Sequence, residues 1–232
     1  MSKRKKKIIV FSGAGISAES GIQTFRDSGG LWENYKIEDV ATPEAWQKNP
    51  ALVLDFYNQR RKQIIEAQPN NAHYFFALLE DNYDVQIITQ NIDNLHERAG
   101  STKVLHLHGE IMKARSTFNH SLVYNLTSWE IKLGDKCEKG SQLRPHIVWF
   151  NEAVPNMVVA IDLLHQADFF IIVGTSLNVY PAAGILNYVS PQTKKILIDP
   201  KDFNLNQSNG IIHIKKTAAL GVNDLKNFFD IN

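Results

Sequence analysis

The sequence predicts a doubly wound α/β fold, Rossmann-like, built on a parallel sheet with a second, smaller lobe. Three observations carry that expectation. Short apolar runs alternate with helical patterns, as in a parallel sheet with crossover helices. A glycine-rich turn follows the first apolar run. Polar residues stand just beyond several other runs, where such sheets bind ligands.

Strands are expected at residues 8–11, 85–89, 104–107, 147–150, 169–173, 195–198 and 211–214. Helical patterns cover 51–67, 72–80, 157–166, 182–189 and 223–229. Two stretches break the alternation. Residues 22–81 insert helices between the first two central strands, and residues 110–143 are polar without a clear period. Both are assigned to the smaller lobe of a single domain spanning 1–232, and a cleft between lobes is a favoured ligand site.

Composition is that of a soluble globular chain, with 44% hydrophobic and 21% charged residues. A net charge of +1 gives no overall pull toward nucleic acid, and the basic run from Lys3 to Lys7 reads as a solvated tail. The apolar run after it is too short for a signal peptide, and no run reaches membrane-spanning length. Cys137 is the sole cysteine, so no intrachain disulfide and no thiolate zinc cluster can form; a reducing cytoplasm fits best.

Gly13-Ala14-Gly15-Ile16-Ser17-Ala18 fits G-x-G-x-x-[GA] directly after a strand. In dinucleotide folds the first glycine makes the tight turn, the second admits the pyrophosphate, and the helix N-terminus faces the phosphates. The acidic residue expected about 20 positions on, at the end of a second strand, is missing. The motif alone leaves a dinucleotide site and a plain tight turn both open. Arg26 suits a phosphate partner, and Phe25 is an aromatic wall for a ring or a plain core residue.

Other strand ends lead into Gln90, Asn91 and Asp93, into His108-Gly109-Glu110, into Gly174-Thr175-Ser176, and into Asp199. Each alone reads as a loop that caps the next helix. Together around one crevice they mark a site. His106 and His108, two apart on one strand, face the same side. They form a metal pair completed by His146 or Asp93, or His108 alone is a general base. The metal reading is the weaker, because no third ligand stands at ligand-like spacing. An imidazole pKa near 6.5 suits proton abstraction.

On a helical wheel of residues 51–67, Val53, Phe56, Tyr57, Ile64 and Ala67 share a stripe opposite Asp55, Lys62 and Glu66. Arg60 lands inside the apolar stripe, on the face of Tyr57. A buried cation needs a partner. Arg60 snorkels to water at the edge of the stripe, pairs with a carboxylate within the protein, or meets an acidic group that arrives with the ligand and is also gripped by the Tyr57 hydroxyl.

"GAGISAESGIQTFR", "TQNIDNLHERAG", "HLHGE", "LRPHIVWFNEAVP" and "VGTSLNVYPAAG" resemble, in order, the motifs of the sirtuins, NAD-dependent protein-lysine deacylases. The resemblance runs from about residue 8 to residue 214. "ATPEAW" and Tyr57-x-x-Arg60 resemble the subclass that removes succinyl and malonyl as well as acetyl groups. It implies NAD as a consumed co-substrate and acylated lysines of proteins as substrates, with no nucleic acid or membrane partner. Gly13, Ala14, Gly15 and Arg26 would hold the pyrophosphate, helped by Thr175 and Ser176. Phe25 would cover the nicotinamide, Gln90 and Asn91 would order its ribose, and Asp93 would hold its carboxamide. Asp199 would meet the adenosine ribose, with Ile16, Trp32, Ile92, Gly174 and Ala218 also lining the cofactor. His108 would be the base, assisted by Asn91. Ala41, Tyr57 and Arg60 would take the acyl group, and the backbone of Val148, Trp149 and Phe150 would pair with the substrate peptide. The products would be free lysine, nicotinamide and O-acyl-ADP-ribose.

The chain departs from that family in three places. A Cys₄ zinc module usually precedes "LRPH", and His120 plus Cys137 supply too few ligands for one. No zinc is expected, and the lobe is expected to be held by Phe118, Leu122, Tyr124, Leu126, Trp129 and Ile131. Asn151 stands where glycine is usual, and Asp199 where asparagine is common. An ADP-ribosyltransferase or NAD glycohydrolase on the same scaffold is the alternative reading, and a non-enzymatic NAD-binding module is a third.

Overall fold

In the computed structural model of the chain, residues 4–22, 35–175, 182–202 and 210–229 are described. The main sheet begins with β1 (Lys7–Ser12), β2 (Asp84–Thr89) and β3 (Val104–His106). A small antiparallel sheet follows, made of β4 (Gly109–Ser116), β5 (Val123–Asn125) and β6 (Leu143–Ile147), in the order β5-β4-β6. The main sheet resumes with β7 (Phe169–Val173), β8 (Lys194–Ile198) and β9 (Ile211–Ile214). Its order is β3-β2-β1-β7-β8-β9, with every pair parallel. Strand order reverses between β1 and β7, so the ligand crevice of such a sheet lies beyond their carboxyl ends.

The helices are α1 (Gly15–Ala18), α2 (Ile37–Val40), α3 (Pro43–Lys48), α4 (Pro50–Glu66), α5 (Asn71–Leu78), α6 (Leu95–Arg98), α7 (Met157–Leu164), α8 (Ala182–Ile185) and α9 (Ala218–Phe228). One face of the sheet packs Val10, Ile87, Ile171 and Ile196 against Ile16, Phe76 and Val222. The other packs Phe11, Ile88, Phe170 and Leu197 against Ala160, Leu164 and Ile185. Burying a large side chain of this kind stabilises by about 1.5–3 kcal/mol, which is why both faces of the central strands read as continuous apolar runs.

Two expectations change. The run "IVWF" at 147–150 reads as a strand of the main sheet, but the strand is Leu143–Ile147 and belongs to the small sheet. The chain then turns: the Glu152 amide donates to the Trp149 carbonyl at 3.1 Å, and Asn151 adopts φ 70°. Asparagine tolerates this left-handed region better than most residues, so it serves where glycine is usual. Second, α5 lies within the stretch assigned to the lobe, yet Ala72, Phe75 and Phe76 pack on the main sheet. The lobe's first insertion therefore ends with α4.

The lobe's own contacts also differ from expectation. Phe118 is 82% exposed and Trp129 is exposed as well. Neither side chain belongs to the lobe's apolar cluster. Leu122 and Tyr124 are half-buried. The apolar cluster is Leu54, Ala114 and Ile131, flanked by Trp46, Leu126 and Leu143.

What the sequence did not reveal is a polar clamp on α4. Asn49 caps this helix by accepting from the Leu52 amide, and Pro50 suits its first turn. Further along, fully buried Arg61 donates through Nε to the Ile111 carbonyl and through Nη1 to the Trp129 carbonyl, both at 2.7 Å. Asn58 donates to the Ile131 carbonyl at 2.9 Å and accepts from the Ile131 amide at 3.0 Å. Burial lowers the Arg61 guanidinium to about 10. Arg61→Met keeps the stem but takes the donor from the buried Ile111 carbonyl and the partly buried Trp129 carbonyl, a buried orphan costing about 1–3 kcal/mol. Denaturant unfolding should show a loss of at least about 2 kcal/mol; an unchanged midpoint would mean that the lobe is held by other contacts.

Candidate active site

Two backbone turns meet at the switch point. The Gly13 amide donates to the Val173 carbonyl at 3.0 Å, and the Gly15 amide to the Gly174 carbonyl at 2.8 Å. A Cβ on Gly15 would stand 2.7 Å from the Gly174 Cα, and one on Gly174, at φ +63°, would stand 2.2 Å from the Ile16 nitrogen. Glycine is required here so that the two turns can touch. The Gly13 and Gly15 amides are both bonded to backbone carbonyls. The helix that follows is the single turn α1, not a long dipole. Ile16 buries its side chain in the core.

The end of β2 carries the densest polar network. The Gln90 amide donates to the Ser12 carbonyl at 2.9 Å, and its side chain to the Thr175 hydroxyl at 3.2 Å. Asn91, 8% exposed, donates from its amide to the Thr89 hydroxyl and from Nδ2 to Ser17 Oγ, each at 3.0 Å. Ser17 in turn donates to Asp93 Oδ2 at 3.0 Å, while Asp93 Oδ1 accepts from the Leu95 amide at 3.2 Å. Burial pushes the Asp93 carboxyl up, against the Leu95 and Ser17 bonds. Sequence reasoning missed Ser17; its signal was a hydroxyl one turn inside the glycine motif.

His108 sits in the turn between β3 and β4, with Nδ1 2.8 Å from the Gln90 carbonyl oxygen. A carbonyl only accepts, so Nδ1 carries the proton and Nε2 keeps a lone pair. Burial lowers the ring's pKa, opposed by this bond, so the ring stays neutral at neutral pH. The two histidines do not share a strand as expected, because β3 stops at His106. His106 has Nδ1 2.9 Å from the Asn91 carbonyl oxygen and Nε2 2.8 Å from Glu97 Oε1, so it has no nitrogen left for a metal. Among the described residues, no group of three His, Cys, Asp or Glu side chains is placed to hold a metal ion.

Within electrostatic reach of Asp93 stands the α4 face with the buried cation. Tyr57 and Arg60 are both buried, and Ala41, Tyr57 and Trp149 belong to one apolar cluster. Burial lowers the Arg60 pKa and raises that of Tyr57; the charge of Arg60 is felt at Tyr57 and at Asp93. The segment after β6 departs from expectation. Val148 donates its amide to the His108 carbonyl at 2.9 Å, Trp149 to Glu152 Oε2 at 2.8 Å, and Phe150 to the Ala41 carbonyl at 3.0 Å. With all three amides bonded inside the protein, this backbone can only accept from a substrate strand. Glu152 is held by Arg144 at 2.8 Å and by Arg115 at 3.1 Å, and the Arg144 guanidinium lies 3.3 Å from the Trp149 ring centre.

Of the remaining expected residues, Ile92 packs partly buried against the Tyr57 cluster, and its carbonyl accepts from the Ile111 amide at 2.9 Å. Asp199 ends β8, accepting from the Lys201 amide at 2.8 Å, and Ala218 opens α9 with its methyl in the core. Phe25, Arg26, Trp32 and Ser176 lie outside the described residues.

A family model described as the Sir2 family matches residues 13–181. An NAD-dependent protein deacylase of Bacteroides thetaiotaomicron is 53% identical over 226 residues, covering 95% of this chain and 97% of that protein. A solved complex of a Sir2 homolog with NAD superposes with a TM-score of 0.86 at 38% identity, covering 97% of this chain and 90% of that one. A Sir2 structure with a deacetylated p53 peptide and 3′-O-acetyl ADP-ribose gives 0.80 at 28% identity, covering 97% and 94%.

Below the network, the rings of His73 and His96 meet 5.0 Å apart, and His96 Nε2 lies 3.0 Å from Ser12 Oγ. Burial lowers the His73 pKa to about 4. The unfolded chain therefore takes up this proton first, and stability is complete above about pH 6.5 and falls as pH drops toward 4. The loss from His73 should approach about 3 kcal/mol. Unfolding midpoints between pH 7 and pH 4 should fall more steeply for the wild type than for His73→Gln; parallel curves would show that His73 is not held neutral.

Proposed function

The chain belongs to the Sir2 family, and on that premise we propose that it removes acyl groups from protein lysines with NAD as a consumed co-substrate. The observation that carries this reading is the tautomer of His108. Its Nδ1–H is fixed on the Gln90 carbonyl, so its Nε2 lone pair is free to act as base beside the Asn91–Ser17–Asp93 network. The site's small turns and hydroxyl, amide and carboxyl groups fit the cofactor. Bound there, NAD would supply a nicotinamide leaving group and the ribose hydroxyls that receive the acyl group.

The residues divide the work. Gly13, Ala14, Gly15, Gly174 and Thr175 form the touching turns on which the diphosphate lies, with Arg26 and Ser176 assigned to it by their motifs. Asn91 Nδ2 and the Asp93 carboxyl, both held by Ser17, orient the nicotinamide side. His108 accepts a proton at Nε2 from a ribose hydroxyl, and its lowered pKa keeps it competent at neutral pH. The products are then free lysine, nicotinamide and O-acyl-ADP-ribose. The peptide lies along the 148–150 segment, which offers carbonyl oxygens to it.

The acyl chain reaches the buried α4 face. Ala41 leaves room there, while the Arg60 guanidinium and the Tyr57 hydroxyl suit a terminal carboxylate, so succinyl and malonyl groups are accepted beside acetyl. The small lobe folds without zinc, because Cys137 is buried with its thiol on Ser116 Oγ and the Asn58–Arg61 clamp ties the lobe down. A free thiol also suits a reducing, cytoplasmic setting.

Purified protein incubated with NAD and acetyl-, succinyl- or malonyl-lysine peptides should release free lysine and O-acyl-ADP-ribose by mass spectrometry. NAD loss without deacylation would indicate a glycohydrolase instead. His108→Ala should lower turnover by roughly two orders of magnitude or more while NAD binding survives. Retained turnover would move the base elsewhere. Arg60→Met should lower desuccinylation kcat/KM by roughly ten- to a hundredfold, the value of one charge-assisted bond, and leave deacetylation little changed. Equal losses on both substrates would sink the acidic-acyl reading.

A further inference from the structure

His106 is 6% exposed and carries no role in the scheme above. Its ring stands between two oxygens: the Asn91 carbonyl at 2.9 Å from Nδ1 and Glu97 Oε1 at 2.8 Å from Nε2. A carbonyl oxygen and an ionised carboxylate can only accept hydrogen bonds. A neutral imidazole has one N–H, so it would turn a lone pair toward one of them. The imidazolium donates to both. We infer that His106 is a positioning residue, an imidazolium strut that ties Glu97 to the Asn91 backbone and so fixes how Asn91 presents its side chain. This rests on the proposed assignment of Asn91 to the reaction.

The surroundings agree. Burial works against the charge, but the bond to Glu97, its charge, the Asn91 carbonyl and Glu110 of β4 outweigh it, and the His106 pKa is raised. Buried Asp93 lies within electrostatic reach of the same ring, and its carboxylate is stabilised by the His106 charge. His96, on the same helix as Glu97, is pushed further below its ordinary value by that charge and stays neutral. The strand end itself is pinned, since Asn156 donates to the His106 carbonyl at 2.7 Å. His108 and His106 thus grip successive carbonyls, those of Gln90 and Asn91. If the strut loosens, the Asn91 peptide turns, and the Gln90 carbonyl that sets the His108 tautomer is its covalent neighbour.

The sign follows from the raised pKa: the strut is fully formed below about pH 6.5 and is lost as pH rises through the folded value. Deacylation should therefore fall on the alkaline side as His106 loses its proton, and on the acid side as His108 gains one. Glu97→Gln removes the charge that holds the proton but keeps an accepting oxygen. The alkaline limb of kcat should move down by about one pH unit or more, with the acid limb and both KM values unmoved. An unmoved alkaline limb overturns the proposal.

A second readout needs no activity. In protein labelled with ¹⁵N-histidine and ¹³C-asparagine, with His106→Gln used for assignment, both His106 nitrogens should carry protons at pH 7. The Asn91 carbonyl shift should follow the His106 titration. A singly protonated ring at pH 7, or an Asn91 carbonyl indifferent to that titration, overturns the strut. If the wild type does not deacylate at all, the functional reading falls, and this titration still decides the strut.

Discussion

The contact of the Gly13–Gly15 turn with Gly174 is the constraint on which the site depends. Two strand ends normally diverge into loops with side chains between them. Here the Gly15 amide reaches the Gly174 carbonyl at 2.8 Å, and any Cβ at these positions would force the turns apart. That closeness brings Ser17 over the end of β2, where one hydroxyl accepts from Asn91 and donates to Asp93. It also sets Thr175 within reach of the Gln90 side chain. A buried carboxyl and a buried amide are costly unless bonded, and this geometry bonds both with a single serine.

Helix α4 works on two faces for the same reason. Its Asn58–Arg61 edge supplies donors to backbone carbonyls of the lobe, and its Tyr57–Arg60 edge is buried within electrostatic reach of Asp93. Arg61 is a fully buried cation whose bonds to Ile111, Trp129 and Asn58 are all short. Such a polar clamp gives direction that apolar packing lacks, because each carbonyl accepts only along its lone pairs. The lobe's apolar cluster is small, so its orientation rests on these bonds.

The two strand-end histidines show how neighbours set opposite charge states on one ring type. Among the described residues the His108 ring has one polar partner, a carbonyl, and burial lowers its pKa. His106 adds a carboxylate at 2.8 Å, and the balance reverses. One ring is kept neutral and ready to take a proton, while two residues away the other is kept charged. Both are anchored to consecutive peptides of the β2 exit, so proton affinity and backbone geometry are coupled there.

Much of this was written in the sequence, and for local reasons. The strands of the main sheet lie within a residue of the expected ends, because the buried central strands appear as unbroken apolar runs whatever their neighbours. The wheel of α4 placed Arg60 and Tyr57 on one buried stripe, since helical periodicity is a property of consecutive residues. The glycines, the polar exits of β2 and β7, and His108 were legible as types at positions. What only the tertiary structure decided depends on partners far along the chain. Arg61 is bonded to carbonyls 50 and 68 positions away, so nothing near it in sequence marks it as buried. "IVWF" looked like a core strand, but Glu152, held by Arg115 and Arg144, bends it into a turn. The sequence left the two histidines open as a metal pair or as a lone base at His108. Which ring holds a proton was settled by oxygens brought there by other strands and helices, because a titrating group reads its surroundings in space.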